Sequence, residues 1–208
     1  MFSVVIPTLW KSTTFPELFK RYVESPLVDE IIIIDNNETE TPLDFSQFPK
    51  VVHVRPGKNI YVNPAWNLGV AMAKNENILI SNDDVVFSVD ANLEFALKNL
   101  RDQSYKIIGV DPKSYTEHSI MPDISKRHYI GKGWGCLLFL KKSNYKEIPH
   151  DLKIYFGDDW LALKAEGNLG SITFKDNVYT QMSTSSNDQR FSTIKNEDKT
   201  AWFSKHLR

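Results

Sequence analysis

The sequence has few of the features that mark secreted, membrane or nucleic-acid-binding proteins. Because Cys136 is the single cysteine, the sequence excludes an internal disulfide, which fits a reducing compartment. It also has no cysteine and histidine pattern of the kind that binds zinc. A formal charge of −1 gives no broad basic field for binding nucleic acid. Apolar runs are strand-length and residues 1–7 carry no basic leader, so neither a signal peptide nor a membrane span is predicted. We expect a cytoplasmic protein, or one held at a membrane surface by a partner.

The composition is that of an ordinary globular protein. Of 208 residues, 41% are hydrophobic and 25% are charged, which is enough for one sizeable core. There is no internal repeat, low-complexity segment or linker. The sequence therefore predicts a single domain over residues 1–208.

The first 37 residues predict a βαβ unit. Phe2–Ile6 is typical of a buried strand stopped by Pro7. A helix follows, with Thr14 as its cap and Glu17 three residues later, and Ile31–Ile34 is a second, uniformly apolar strand. The second strand runs into Asp35-Asn36-Asn37, so polar groups stand at its carboxyl end, where open α/β sheets bind ligands.

The remaining chain continues to alternate strands and helices. The elements predicted are a strand at 51–54, a helix capped by Asn63, a helix at 92–100, a strand at 106–110, an irregular stretch at 114–128, a strand ending at Leu140, a helix from Asp158 to near Gly167, a strand at 172–174, a loop at 182–190 and a helix at 198–207.

The central stretch of the chain is the apolar strand Ile78–Ile80 followed by Asn82, Asp83 and Asp84. Two adjacent carboxylates at a strand end repel each other unless a cation or donor groups offset their charge. A divalent metal carrying phosphates would do this, and an Asx turn that caps the next segment is the structural alternative. These three residues alone do not separate the two interpretations.

Two further positions have both a functional and a structural interpretation. Asp158 and Asp159 form a second acidic pair at a helix start, where the helix dipole favours carboxylates whatever the function. Trp134 follows a run of glycines and could stack on a sugar, or could be buried in the core.

Taken in order, these motifs resemble the GT-A-fold glycosyltransferases, specifically the family-2-like inverting sugar transferases. Val4–Thr8 is similar to the family's opening strand, and Ile33–Asn37 to its second strand. Asn59 and the Asn67–Gly69 helix match the segment before the metal motif, and Ile80–Val85 falls where the Asp-any-Asp motif belongs. The chain also resembles glycosyltransferase domains of large algal viruses, some of which are pieces of longer proteins.

The resemblance implies a mostly parallel central sheet with helices on both faces and a role for each matching residue. Asp84 is the expected ligand for Mn²⁺ or Mg²⁺, and Asp35 the expected contact to the nucleobase. The other residues expected to contact the nucleotide sugar are Pro7, Thr8, Asn59, Asn67, Asn82, Asp83 and, from its ring, Trp134.

The chain departs from the family pattern at three places. Asn82 replaces the first Asp of the metal motif, a variant also seen in family-2-like transferases. Gly157-Asp158-Asp159 stands where Glu-Asp is usual, so either Asp could be the base, with Asp158 preferred from the spacing to Leu161 and Lys164. Residues 178–182 contain no late His for the metal.

The resemblance implies a metal-dependent, inverting, hexosyltransferase-type enzyme. It would move a sugar from a nucleoside-diphosphate sugar, with UDP-sugar favoured, to a hydroxyl of a glycan or glycoconjugate. The donor half would be about 1–87 and the acceptor half about 88–208, within a chain that could be one domain of a larger protein. Arg55, Lys58 and Lys132 are candidates for pyrophosphate contact, or are simply solvated.

Two other functions stay open at this stage. A nucleotidyltransferase would share acidic strand ends over a metal, but its Gly-rich basic loop is absent, since Pro7–Trp10 has no glycine. A non-catalytic nucleotide-sugar-binding or carbohydrate-binding domain would keep the fold and lose the base. Retention of both acidic clusters argues against the second alternative.

Overall fold

A computed structural model describes residues 1–39, 41–101, 104–117, 119–127, 133–181 and 189–206. The elements in these residues are β1 (Phe2–Thr8), α1 (Phe15–Glu24), β2 (Val28–Asp35), β3 (Val51–Val54), α2 (Val62–Met72), β4 (Asn77–Ser81), β5 (Val85–Val86), α3 (Val89–Arg101), β6 (Ile107–Val110), β7 (Asp123–Arg127), β8 (Leu137–Lys141), α4 (Gly157–Lys164), β9 (Leu169–Thr173), β10 (Tyr179–Thr180) and α5 (Ser192–Ala201), which continues as a π-helical turn, Trp202–His206.

Eight of the strands form one central sheet, in the order β3-β2-β1-β4-β8-β6-β9-β7. Strands β3, β2, β1 and β4 are mutually parallel, and β6 is parallel to β9. Strand β8 runs antiparallel between β4 and β6, and β7 is an antiparallel edge strand. The sheet is therefore mostly parallel, which confirms the predicted fold class.

The uniformly apolar strands are buried on both faces because each face carries its own helices. In β1, Val4 and Ile6 pack in one core with side chains of α1 and α3. The intervening Val5 packs in a second core with α2, α4 and α5. Alternation of side chains along a strand thus divides one apolar run between two hydrophobic layers.

Of the two predicted helix caps, Thr14 stands at the N-cap position of α1 but lacks the side-chain hydrogen bond, and the Asn63 cap is wrong. Glu17 pairs with Arg21 at 2.6 Å. Helix α2 begins at Val62, and the Asn63 amide donates to the carbonyl oxygens of Leu152 and Tyr155. The Asn63 side chain therefore makes a tertiary contact and does not cap its own helix.

Several segments differ from the prediction in extent. Part of the stretch predicted as irregular forms a 3₁₀ turn at Pro112–Tyr115 and strand β7, because β9 offers β7 a partner. The short antiparallel pair β5 and β10 has too few residues for a sequence signal. The loop predicted at 182–190 lies mostly outside the described residues. In the described part of the chain, no helix has the length and apolarity needed to span a bilayer.

Candidate active site

A cleft of about 420 Å³ opens beyond the carboxyl ends of β1 and β4. It is the expected position of a ligand site in a sheet of this topology. Its walls come from both halves of the chain and contain Pro7, Thr8, Leu9, Lys11, Ser12, Asn36, Asn59, Tyr61, Val62, Trp66, Asn82, Asp83, Asp84, Gly133, Gly135, Cys136, Ile154, Tyr155, Phe156, Asp158, Asp159 and Phe191. Both predicted acidic pairs therefore face one cavity.

A hydrogen bond joins the ends of the two central parallel strands. The Thr8 hydroxyl donates to Asp83 Oδ2 at 2.6 Å. The pKa of Asp83 is raised to about 6, chiefly by burial and in part by the charge of the neighbouring Asp84, whereas the Thr8 hydrogen bond opposes the shift. Asp83 is therefore tied to the end of β1.

Asp84 lies under the short strand β10. Thr180 pairs with Val85 across the β5 and β10 ladder, and its hydroxyl donates to Asp84 Oδ2 at 3.2 Å. Burial raises the pKa of Asp84, and the Thr180 hydroxyl opposes that shift. Thr180 could not be predicted from the sequence, because a lone Thr in a two-residue strand carries no recognisable pattern.

The second acidic pair begins α4 on the opposite wall of the cleft. Burial raises the pKa of Asp158, and backbone N–H groups, including that of Gly135, partly offset the effect. Burial and the charge of Asp158 raise the pKa of Asp159 to about 6. Among the described residues, no hydrogen bond reaches the Asp159 carboxylate. A carboxylate with a pKa near neutrality is suited to accept a proton at physiological pH.

The structure explains why glycine precedes this pair. A Cβ atom on Gly157 would lie 2.1 Å from Asn63 Oδ1. Since Asn63 is fully buried and bonded to the 152–155 segment, it has no room to withdraw. A side chain at position 157 therefore has no space, and the acidic groups at the start of α4 are Asp158 and Asp159.

Three non-glycine residues with left-handed φ values border the cleft. They are Trp10 (φ 60°), Tyr61 (φ 67°) and Phe156 (φ 63°). Tyr61 and Phe156 line the cleft and directly precede α2 and α4. Trp10 directly precedes Lys11, which lines the cleft. Such conformations cost energy and persist only where the surroundings impose them, which is most common at functional sites.

Asp35 does not reach the cleft. Its buried carboxylate accepts hydrogen bonds from the Thr41 hydroxyl at 2.6 Å and the Asn37 N–H at 2.9 Å, and lies 3.1 Å from His53 Nε2. Burial alone would raise the pKa of Asp35, but these hydrogen bonds outweigh it and lower the pKa. The carboxylate is therefore held by donors of the protein itself, while its neighbour Asn36 lines the cavity. The contact of Asp35 with the nucleobase stays a prediction.

Two other residues that were predicted to contact the ligand make hydrogen bonds within the protein. Asn67 Oδ1 accepts from the Tyr145 hydroxyl and the Ile148 N–H, and its Nδ2 donates to the Ile148 carbonyl. Trp134 is fully buried, and its Nε1 donates to the Gly170 carbonyl at 3.0 Å. Neither residue lines the cleft, so Asn67 clamps a surface segment and Trp134 belongs to the core.

Two of the cationic residues that were candidates for pyrophosphate contact, Arg55 and Lys58, do not line the cleft. The Arg55 guanidinium bonds to the Thr39 carbonyl and lies 3.6 Å from Asp35 Oδ2, while Lys58 is outside the cleft wall and Lys132 is outside the described residues. Lys11, which the sequence analysis did not single out, lines the cleft. Its position follows from the sharp turn at Trp10, which a sequence pattern does not indicate.

An eight-stranded, mostly parallel sheet with acidic residues at the ends of its central strands and helices on both faces defines the GT-A class of fold. The chain matches "Glycosyl transferase family 2" over residues 3–151, more than half of its length, and it belongs to that family. This confirms the resemblance inferred from the sequence. No curated protein matches the chain.

Solved structures share the fold at low identity. TarS 1–349 from S. aureus is 17% identical with a TM-score of 0.65, over 94% of this chain and 64% of that one. GalNAc-T7, solved with UDP, GalNAc and Mn²⁺, is 13% identical with a TM-score of 0.66, over 97% of this chain and 48% of that one. The mannosyltransferase PcManGT from Pyrobaculum calidifontis, solved with GDP-Man and Mn²⁺, is 16% identical with a TM-score of 0.52, over 72% of this chain and 48% of that one. The chain thus spans less than two thirds of each of these proteins.

Proposed function

We propose that this protein is an inverting glycosyltransferase that moves a sugar from a nucleoside-diphosphate sugar to an acceptor hydroxyl. The observation that carries the proposal is that two acidic pairs, one at the end of β4 and one at the start of α4, face the same cleft in a family 2 chain. Such a reaction needs stabilisation of a departing diphosphate and a base for the attacking hydroxyl.

The donor side of the cleft is formed by the ends of β1 and β4. Thr8, Asn82 and Asp83 supply polar groups, and Asp84 would hold Mn²⁺ or Mg²⁺. No group of three or more His, Cys, Asp or Glu side chains converges within the described residues. The oxygen donors present fit a hard cation that would take its remaining ligands from diphosphate and water. Because burial raises the pKa of Asp84, a nearby positive charge would stabilise its carboxylate. When bound, the cation would stabilise charge on the leaving diphosphate.

The acceptor side is formed by the start of α4, where we assign the base to Asp158. Its carboxylate takes the proton of the acceptor hydroxyl as that oxygen bonds to the anomeric carbon and the diphosphate oxygen departs. Attack from the face opposite the diphosphate inverts the anomeric configuration. Asp159 beside it contributes negative charge that favours proton uptake by the pair.

We propose a UDP-sugar as donor and a hydroxyl of a glycan or glycoconjugate as acceptor. The donor assignment is supported by the neighbours of the same fold, since TarS was solved with UDP-GlcNAc and GalNAc-T7 with UDP. We further propose that residues 1–208 act as one domain, with a donor half at about 1–87 and an acceptor half at about 88–208, in a cytoplasmic protein or in part of a longer chain.

A donor screen tests the proposal. UDP-GlcNAc, UDP-glucose, UDP-galactose and GDP-mannose are each added with Mn²⁺, and thermal stabilisation and release of free nucleoside diphosphate are measured. A ligand that binds only the native state raises the free energy of unfolding by RT ln(1 + [L]/Kd), and the melting temperature rises with it. We expect at least one UDP-sugar both to stabilise the protein and to be turned over.

Asp84→Ala serves as the matched variant in this screen, and exposed Glu94→Gln as its control. Turnover that depends on Asp84 but not on Glu94 supports an enzyme. Stabilisation without turnover in the presence of acceptor glycans would instead indicate the non-catalytic binding domain. A protein that neither binds nor turns over any of the four donors would contradict the proposed function.

A further inference from the structure

A buried carboxylate on the last helix holds the acceptor wall of the cleft. Asp198 lies on α5 and is fully buried. Its Oδ1 accepts from the Lys153 N–H at 3.0 Å, and its Oδ2 accepts from the N–H groups of Ile154 and Tyr155, both at 2.8 Å. Three consecutive peptide N–H groups thus donate to one carboxylate. These hydrogen bonds replace those that the N–H groups would otherwise make to water.

The segment held in this way leads directly to the proposed base. Ile154, Tyr155 and Phe156 line the cleft, and Phe156 takes a left-handed conformation immediately before α4. The direction of α4, and with it the direction of Asp158, is therefore set by the backbone of these three residues.

The helical segment that contains Asp198 also supports the turn at Phe156 through Trp202. Trp202, four residues after Asp198, stacks on Phe156 with ring centroids 5.4 Å apart and ring planes 7° apart. From the other side, the Asn63 amide donates to the carbonyl oxygens of Leu152 and Tyr155. Because a left-handed Phe is strained, it persists only if such contacts impose it.

We propose that Asp198 is a positioning residue for sugar transfer, acting through the peptide N–H groups of residues 153–155 to fix the turn at Phe156 and so the placement of Asp158. This rests on the proposed function. Residues 153–156 and α5 lie beyond the part of the chain that matches the family model, residues 3–151. Displacement of a reacting group by about 1 Å can cost on the order of a hundredfold in rate.

Loss of the Asp198 carboxylate is expected to lower turnover and to leave donor binding nearly unchanged. Asp198→Asn keeps the shape of the side chain but replaces one acceptor oxygen by an NH₂ group, which faces the N–H groups of the loop. We expect kcat to fall by about ten- to a hundredfold, while the affinity for UDP with Mn²⁺ stays within about twofold, because the donor side of the cleft is untouched. Hydrogen exchange at the amides of 153–155 should be faster by at least about tenfold.

Glu197→Gln is the matched control. Glu197 is the neighbouring residue on α5 and pairs with the exposed Lys153 Nζ at 2.8 Å, so this variant removes a charge without touching the three N–H groups. It should keep the parental kcat and the parental exchange. Turnover is measured with whichever donor of the four-member screen the parent uses fastest.

The outcomes are distinguishable from those of the proposed function. Parental kcat in folded Asp198→Asn, with an active parent, overturns the positioning role alone. If the parent turns over none of the four donors, the proposed function fails and the positioning role fails with it. Should Asp198→Asn not fold, Asp198→Glu decides, because it keeps the charge but displaces the carboxylate from the three N–H groups. A lower kcat at unchanged UDP affinity supports the role, and a parental kcat overturns it.

Discussion

Gly135 and Asp158 are in contact so closely that a side chain at position 135 would collide with the Asp158 carboxylate. A Cβ atom built on Gly135 would lie 2.5 Å from Asp158 Oδ2 and 2.7 Å from its Cβ. The glycine run before β8, which the sequence left unassigned to any partner, therefore meets the proposed base. The backbone N–H of Gly135 also favours the charged form of that carboxyl.

The first prediction concerns this contact. Gly135→Ala should push the Asp158 carboxylate away from its present position and lower kcat by about ten- to a hundredfold, with UDP affinity changed much less. Steady-state kinetics and calorimetric UDP binding measure the two quantities. In an Asp158→Asn background the same glycine substitution should cost nothing further in kcat, and a second, equal loss would contradict the coupling.

The second prediction concerns the metal. Asp84→Asn should abolish Mn²⁺-dependent binding of the nucleotide sugar and leave the fold intact, because the amide cannot neutralise a cation as the carboxylate does. Donor affinity with and without chelator is the measurement, and circular dichroism reports the fold. Glu94→Gln is the exposed control. If neither the chelator nor Asp84→Asn changes donor affinity, Asp84 is not a metal ligand.

The third prediction concerns the base. Asp158→Asn should lower kcat by on the order of a hundred- to ten-thousandfold at saturating donor, and Asp159→Asn by about tenfold or less. Transfer rates of both variants decide the assignment. A reversed order would make Asp159 the base, and two near-parental rates would leave the pair as an acidic helix start.

The fourth prediction follows from the raised pKa values of the same pair. A base must be deprotonated, so kcat/KM, which reports ionisation of the free enzyme, should be low in acid and should rise with pH through about 6, the pKa of Asp159, before it levels off. Because Asp158 also has a raised pKa, its deprotonation belongs to the same limb. The pH profile of kcat/KM tests this, with thermal melts at each pH to exclude unfolding. Full activity at pH 4.5 would contradict it.

The fifth prediction separates structural from ligand-binding asparagines. Asn67→Ala removes three hydrogen bonds that clamp residues 145–148 and leaves the Ile148 N–H and carbonyl without their partner. We expect a loss of about 2–3 kcal/mol in the free energy of unfolding, with UDP affinity unchanged. Denaturant unfolding and calorimetry give the two numbers. Asn36→Ala, which changes a cleft residue, is the contrasting variant and should weaken UDP binding.

Some of this protein was determined by local sequence pattern. The apolar runs of β1, β2 and β4 are each bounded by polar residues, and burial of such runs on both faces dictates strands of a parallel sheet whatever else surrounds them. The polar residues after β4 had to lie at the carboxyl end of that sheet. Their position in the cleft was therefore predictable from the sequence.

Other features were decided only by tertiary structure, because each depends on a partner far away in the chain. The Asp35 carboxylate is occupied by Thr41 and His53, and Asn63 serves a loop about 90 residues away instead of capping α2. Trp134 is buried because the absence of a side chain on Gly109 leaves room for its ring. Sequence pattern reports which groups can form a hydrogen bond or fill a space, and only the folded chain determines which partner each one meets.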